Sequence, residues 1–154
     1  MCGIFGTISS KNLENREILK LKKLMDPRGP DSKGIYKDEF QQKKLCFIFS
    51  RLSIIALGKQ SDQPFEKFNK VIMFNGEIYN YLEIRKELES KYNFNTNSDT
   101  EVLITAYHEY GADFLKKIEG MFSIVILDKK NDYIFFVEID LVKNHYIILR
   151  ITKS

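Results

Sequence analysis

At 154 residues, with 44% hydrophobic and 29% charged side chains, the chain suits one soluble domain with a real core. A net charge of +3, from 24 Lys and Arg against 21 Asp and Glu, is too balanced for a nucleic-acid partner or an anionic membrane surface. Two cysteines cannot form a disulfide framework, and the two histidines add no recognisable metal spacing, so no metal is expected.

The second residue is a cysteine, and removal of Met1 would leave Cys2 with both a thiol and a free α-amino group. An amine of pKa about 7.7 to 8.0 beside a thiol of about 8.5 puts base and nucleophile on one residue near neutral pH. Position alone does not separate that role from an accidental cysteine. Ile4–Ile8 then reads as a short buried strand led by glycines. From Glu14 onward Ile18, Leu21, Leu24 and Met25 recur at helical spacing until Pro27 stops them. Residues 27–34, PRGPDSKG, are dense in turn formers. Leu45–Phe49 and Val71–Phe74 are apolar runs of strand length, with a loop between them marked by Gly58, Ser61, Asp62, Gln63 and Pro64.

Asn75 and Gly76 end the second run, and Tyr81, Ile84 and Leu88 form an i, i+3, i+7 stripe, which predicts strand, tight turn and helix. Ser98 and Glu101 have capping-box spacing, with Asp99 in the first turn and Val102, Leu103, Ala106 and Tyr107 as the apolar face that follows. Phe122–Leu127 and Tyr133–Val137, joined by five polar residues, read as a β-hairpin, and His145–Ile151 as one more strand. Strands at both ends with helices between them predict a layered α+β domain over residues 1–154. No apolar run approaches the ~18 residues of a membrane span and no secretory leader is visible, so a reducing, cytoplasmic setting is expected.

Several of these segments carry chemistry. Asn75 and Gly76 fit either an oxyanion hole, where backbone N–H groups face a ligand unobstructed by a Cβ, or a strand-to-helix turn that needs only their backbone geometry. Arg51, following an apolar strand, suits a bidentate grip on a carboxylate and equally a surface position. Asp99 can accept from a substrate ammonium group, and it also suits a helix N-terminus on dipole grounds. Cys46 alternates with apolar neighbours and reads as an inert core thiol, and His108 and His145 read as structural.

In order, MCGIFG at the start, RGPDSKG at 28–34, RLSII at 51–55, NGEIYN at 75–80, SDTE at 98–101 and GMFS at 120–123 form a set. It resembles the glutaminase domain of class II, N-terminal-nucleophile glutamine amidotransferases, and within them is most similar to glutamine-hydrolysing asparagine synthetases. The resemblance runs from Cys2 to about Val137. It implies a four-layer α/β/β/α sandwich of two antiparallel sheets. It implies Cys2 as nucleophile, with Asn75 and the Gly76 N–H as oxyanion hole. It implies Arg51 as the clamp on the glutamine α-carboxylate, helped by backbone at Ile54 and Ile55, with Glu77 and Asp99 receiving the α-amino group. L-glutamine is the implied substrate, hydrolysed to glutamate and ammonia.

The sequence departs from the family after about residue 138, where an arginine, aspartate and GIKPLYY-like stretch is usual and only Asp140 survives. The domain thus reads as truncated, without the synthetase half. No cofactor is expected in this chain, because ATP and magnesium would belong to that half, and asparagine synthesis would need a separate ATP-dependent synthetase chain. Missing terminal strands would leave a sheet edge open to pairing with another chain, so an oligomer is compatible with the sequence. The competing expectation, motivated by the divergent end from Ile139, is an inactive glutamine-binding remnant or regulatory module.

Overall fold

The computed structural model describes residues 2–52, 62–140 and 145–152. Two antiparallel sheets face each other. The first holds β1 (Gly3–Ser9), β3 (Lys43–Arg51) and β2 (Ser32–Phe40), in that order. The second runs β4 (Phe65–Lys67), β5 (Lys70–Ile78), β6 (Gly120–Asp128), β7 (Tyr133–Asp140) and β8 (His145–Ile151). Helix α1 (Asn15–Met25) covers the outer face of the first sheet through Ile18, which joins Cys46 and Ile48 of β3 in a small core. Helices α2 (Tyr81–Leu88) and α3 (Asp99–Tyr110), with the 3₁₀ turn Gly111–Lys116, cover the second sheet. The order of layers is therefore α/β/β/α.

This stacking explains why the central strands read as continuous apolar runs rather than as alternating ones. Leu45, Phe47 and Phe49 of β3 point between the sheets while Cys46 and Ile48 point at α1. In β5, Val71 and Met73 enter the same inter-sheet core, and Ile72 and Phe74 face the helices. A strand buried on both faces shows no period of two in its hydrophobicity. Cys46 is accordingly a buried core thiol, with burial pushing its pKa up.

Three expectations about local structure are corrected. Strand β2 covers Ser32–Phe40, although part of it is dense in turn formers, and its exposure alternates along an edge strand rich in charge. The β2–β3 connection turns at Gln41 and Gln42, both with positive φ, so it lacks the Asn or Gly that usually marks such a turn. Asn75 and Gly76 do not end β5: the strand continues to Ile78, with Asn75 opposite Ser123 and Gly76 opposite Phe122. Only half of the Ser98–Glu101 capping box forms. Ser98 Oγ accepts from the Glu101 N–H at 3.2 Å, whereas the Glu101 carboxylate turns to the N–H groups of Asn95 and Thr96 and to Lys67 Nζ at 2.8 Å. The predicted hairpin and the strand at 145–151 are present as β6–β7 and β8.

Candidate active site

The sandwich brings strand ends from both sheets and the first turn of α3 around one cavity of about 390 Å³. Cys2, Arg51, Asn75, Gly76, Glu77 and Asp99 all line it. Among the predicted site residues only Ile54 and Ile55 lie outside the described residues.

Cys2 and Arg51 meet because β1 pairs with β3. Gly3 stands opposite Ser50, and one further step in that antiparallel register sets Cys2 beside Arg51. The half-buried Cys2 thiol accepts a hydrogen bond from the Leu52 N–H at 3.3 Å and reaches the Leu52 carbonyl oxygen at 3.7 Å. Arg28 Nε donates to the Cys2 carbonyl oxygen at 3.1 Å, tying the residue that precedes β1 to the turn before β2. The sulfur is thus held by backbone while facing the cavity.

Arg51 is 7% exposed, and its Nη1 donates to Asp62 Oδ1 at 2.8 Å. Ser32 Oγ donates to the same oxygen at 3.0 Å. A guanidinium this buried needs a resident counter-charge, since an unpaired buried ion costs several kcal/mol, on the order of 3–5 when one partner of a pair is removed.

Gly76 has φ of +148°, and a Cβ there would stand 2.0 Å from the Met121 carbonyl oxygen, so β5 can approach β6 this closely only with glycine. Beside it, Asn75 Oδ1 is buried with no hydrogen-bond partner among the described residues. A buried amide oxygen left unpaired at the wall of a polar cavity is an acceptor still to be satisfied.

The carboxylate of Asp99 is at the N-terminus of α3 and only 8% exposed, accepting from the Thr100 N–H at 2.9 Å. Burial pushes its pKa up to about 6, against the pull of N–H groups from Thr100, Asp99 and Ile78, and the nearby Glu77 charge adds to the rise. At Asp99 the native protein therefore holds more protons than the unfolded chain between pH 3.8 and about 6, and the contribution of this group to stability falls as pH rises across that window. Asp99→Asn is expected to stabilise the fold by about 1–3 kcal/mol near neutral pH and by little below pH 4, as read by chemical denaturation. Equal stability of the two proteins at neutral pH would contradict this account of Asp99.

Three further residues of the cavity were not legible as site residues. Gln63 is 7% exposed, accepts from the Phe74 N–H at 2.5 Å and donates to Thr100 Oγ1 at 3.1 Å, joining β5 to α3 behind Asn75 and Asp99. Ser123 stands opposite Asn75 on one side and opposite Glu138 on the other, and its hydroxyl donates to Glu138 at 3.0 Å. Only the strand register assembles that row, so no sequence spacing announces it. With Arg28 and Arg51 against Glu77, Asp99 and Glu138, the cavity offers both signs of charge, which suits a zwitterion. Among the described residues no three His, Cys, Asp or Glu side chains gather as a metal site. No helix among them is long and apolar enough to cross a membrane.

Comparison with known proteins places the chain among relatives of known name. The chain is 42% identical over 144 residues to asparagine synthetase [glutamine-hydrolyzing] 1 of Bacillus subtilis, covering 88% of this chain and 22% of that protein. It is 38% identical over 137 residues to asparagine synthetase B [glutamine-hydrolyzing] of Escherichia coli, covering 86% of this chain and 24% of the relative. The chain thus spans about a quarter or less of the length of these two relatives. The fold is that of the glutamine phosphoribosylpyrophosphate amidotransferase of B. subtilis, superposed with a TM-score of 0.65 at 19% identity over 88% of this chain and 36% of that one. Residues 1–141 match the glutamine amidotransferase domain, nearly the whole of the chain, and it is to this family that the protein belongs.

Proposed function

We propose that the chain hydrolyses L-glutamine to glutamate and ammonia through a thioester on Cys2. The observation that carries this reading is the convergence, in one cavity, of a thiol, a buried arginine, a buried carboxylate and a glycine-backed amide. With Met1 removed, the Cys2 α-amine takes the thiol proton and the thiolate adds to the side-chain carboxamide carbon of glutamine. The resulting oxyanion is received by the Asn75 side-chain amide and the Gly76 N–H, donors that are worth about 10²–10³ each in rate. The C–N bond breaks as the ammonium of Cys2 returns its proton to the departing ammonia. Water, deprotonated by the same amine, then adds to the thioester and releases glutamate.

Arg51 holds the α-carboxylate of the substrate, while Asp99, ionised above pH 6, and Glu77 receive its α-ammonium group. Glu77 is exposed at the cavity rim, so it contributes charge more than burial. Ile54 and Ile55 are assigned backbone support for the carboxylate. The ammonia serves an ATP-dependent synthetase unit that forms asparagine from aspartate, and that unit, not these residues, holds ATP and magnesium.

A glutamine-analogue diazo-ketone tests the assignment of nucleophile. Mass mapping is expected to find one label, on Cys2, with none on Cys46, whose thiol is 5% exposed inside the first sheet. Label on Cys46, or protection of neither cysteine by excess glutamine, would overturn the reading.

A further inference from the structure

Arg51 is already holding a carboxylate. Its Nη1 lies 2.8 Å from Asp62 Oδ1, and the arginine is 7% exposed, so this is a largely desolvated cation with a partner supplied by the chain itself. The Asp62 side chain is about two-fifths exposed, on the solvent side of the pair. Ser32, at the start of β2 and opposite Arg51 in the register, fixes the same oxygen at 3.0 Å. Asp62 does not line the cavity, whereas Arg51 does, so the pair is reached from two sides: Asp62 from solvent, a ligand from the cavity.

We infer that Asp62 is an internal competitor for Arg51, a resident carboxylate that the carboxylate of the substrate must displace or share, and that it thereby sets the affinity of the site. The inference rests on the reading of Arg51 as the carboxylate clamp. Two carboxylates on one guanidinium repel each other, so each weakens the hold of the other. Without the Asp62 charge the buried Arg51 cation would lose a counter-charge, and the fold would be less stable. Asp62 therefore stabilises the free protein at the expense of binding.

The experiment compares Cys2→Ala with Cys2→Ala/Asp62→Asn, which bind without turnover. L-glutamine affinity is read by calorimetry and melting temperature with and without glutamine. Asparagine at 62 keeps an oxygen for Ser32 and Arg51 but removes the charge. The expected result is a glutamine Kd lower by roughly fivefold, the size of effect for an ion pair with one exposed member. It is accompanied by a lower melting point for the free protein and a larger rise on adding glutamine. A Kd that is unchanged or higher, or no glutamine binding by either protein, overturns the inference; a higher Kd would make Asp62 a support for Arg51 instead. The glutaminase reading is judged separately, by diazo-ketone labelling and glutamate release in the protein with Cys2 and Asp62 intact.

Discussion

Replacing Cys2 with alanine is expected to lower the rate of glutamate release from glutamine by about 10⁴ or more, because it removes the covalent route entirely. What remains is attack by water on a bound amide, assisted only by the donors at Asn75 and Gly76. The fold should tolerate the change. Cys2 precedes β1 and is only partly buried, at the margin of the inter-sheet core, and among the described residues its sulfur bonds to the backbone of Leu52. Glutamine should still bind, with a Kd within about threefold of the parent, since the proposed roles of Arg51 and Asp99 are at the charged end of the substrate rather than at its amide. A coupled glutamate assay beside calorimetry therefore separates lost chemistry from lost structure. Equal rates in the two proteins would remove Cys2 from the mechanism.

Glu101→Ala is expected to destabilise the fold by about 3–5 kcal/mol. Glu101 is 0% exposed and accepts from Lys67 Nζ at 2.8 Å, from the N–H groups of Asn95 and Thr96, and from the Thr96 hydroxyl at 2.8 Å. Truncation takes the carboxylate from Lys67, which keeps the Asn93 carbonyl oxygen at 2.7 Å, and leaves the buried Thr96 N–H and the partly buried Asn95 N–H without their acceptor. For a domain of this size that loss lowers the melting temperature by roughly 10 °C. Burial raises the Glu101 pKa, but Lys67 and the donors of Asn95 and Thr96 outweigh it and hold the carboxyl below its ordinary value. Its contribution is therefore complete above the unfolded carboxylate range and disappears as pH falls through the depressed native value. Thermal melts at neutral and strongly acidic pH should show the difference between parent and variant shrinking in acid. Because the 95–101 turn places Asp99, the variant should also bind glutamine more weakly. A variant that melts within 2 °C of the parent at neutral pH would show that the ion pair carries none of the stability assigned to it.

The contrast between these residues shows how much of the site was legible beforehand. Cys2, Arg51, Asn75 and Asp99 each allow an ordinary structural reading in their local setting, and they stand out only together, within the ordered motifs MCGIFG, RLSII, NGEIYN and SDTE. Glu101 has the spacing of a cap, and spacing alone assigns it to its own helix. Lys67, 34 residues away on β4, offers a charge that Ser98 cannot, and the carboxylate goes there instead. Asp62, Gln63 and Glu138 carry no local signal at all, since each acquires its role from a partner on another element.

Local sequence sufficed for the apolar strands β1, β3, β5, β6, β7 and β8 and for the three helices, because helix caps and hydrophobic periodicity act over a few residues, whereas the four groups above were singled out only by the ordered set of motifs they belong to. Tertiary structure alone decided that the polar edge strands β2 and β4 form and that β5 runs on through Asn75 and Gly76 to Ile78. It alone raised Asp99 to about 6 and set Asp62 on Arg51. Pairing partners, burial and counter-charges come from segments distant in the chain, and they exist only once the two sheets have closed on each other.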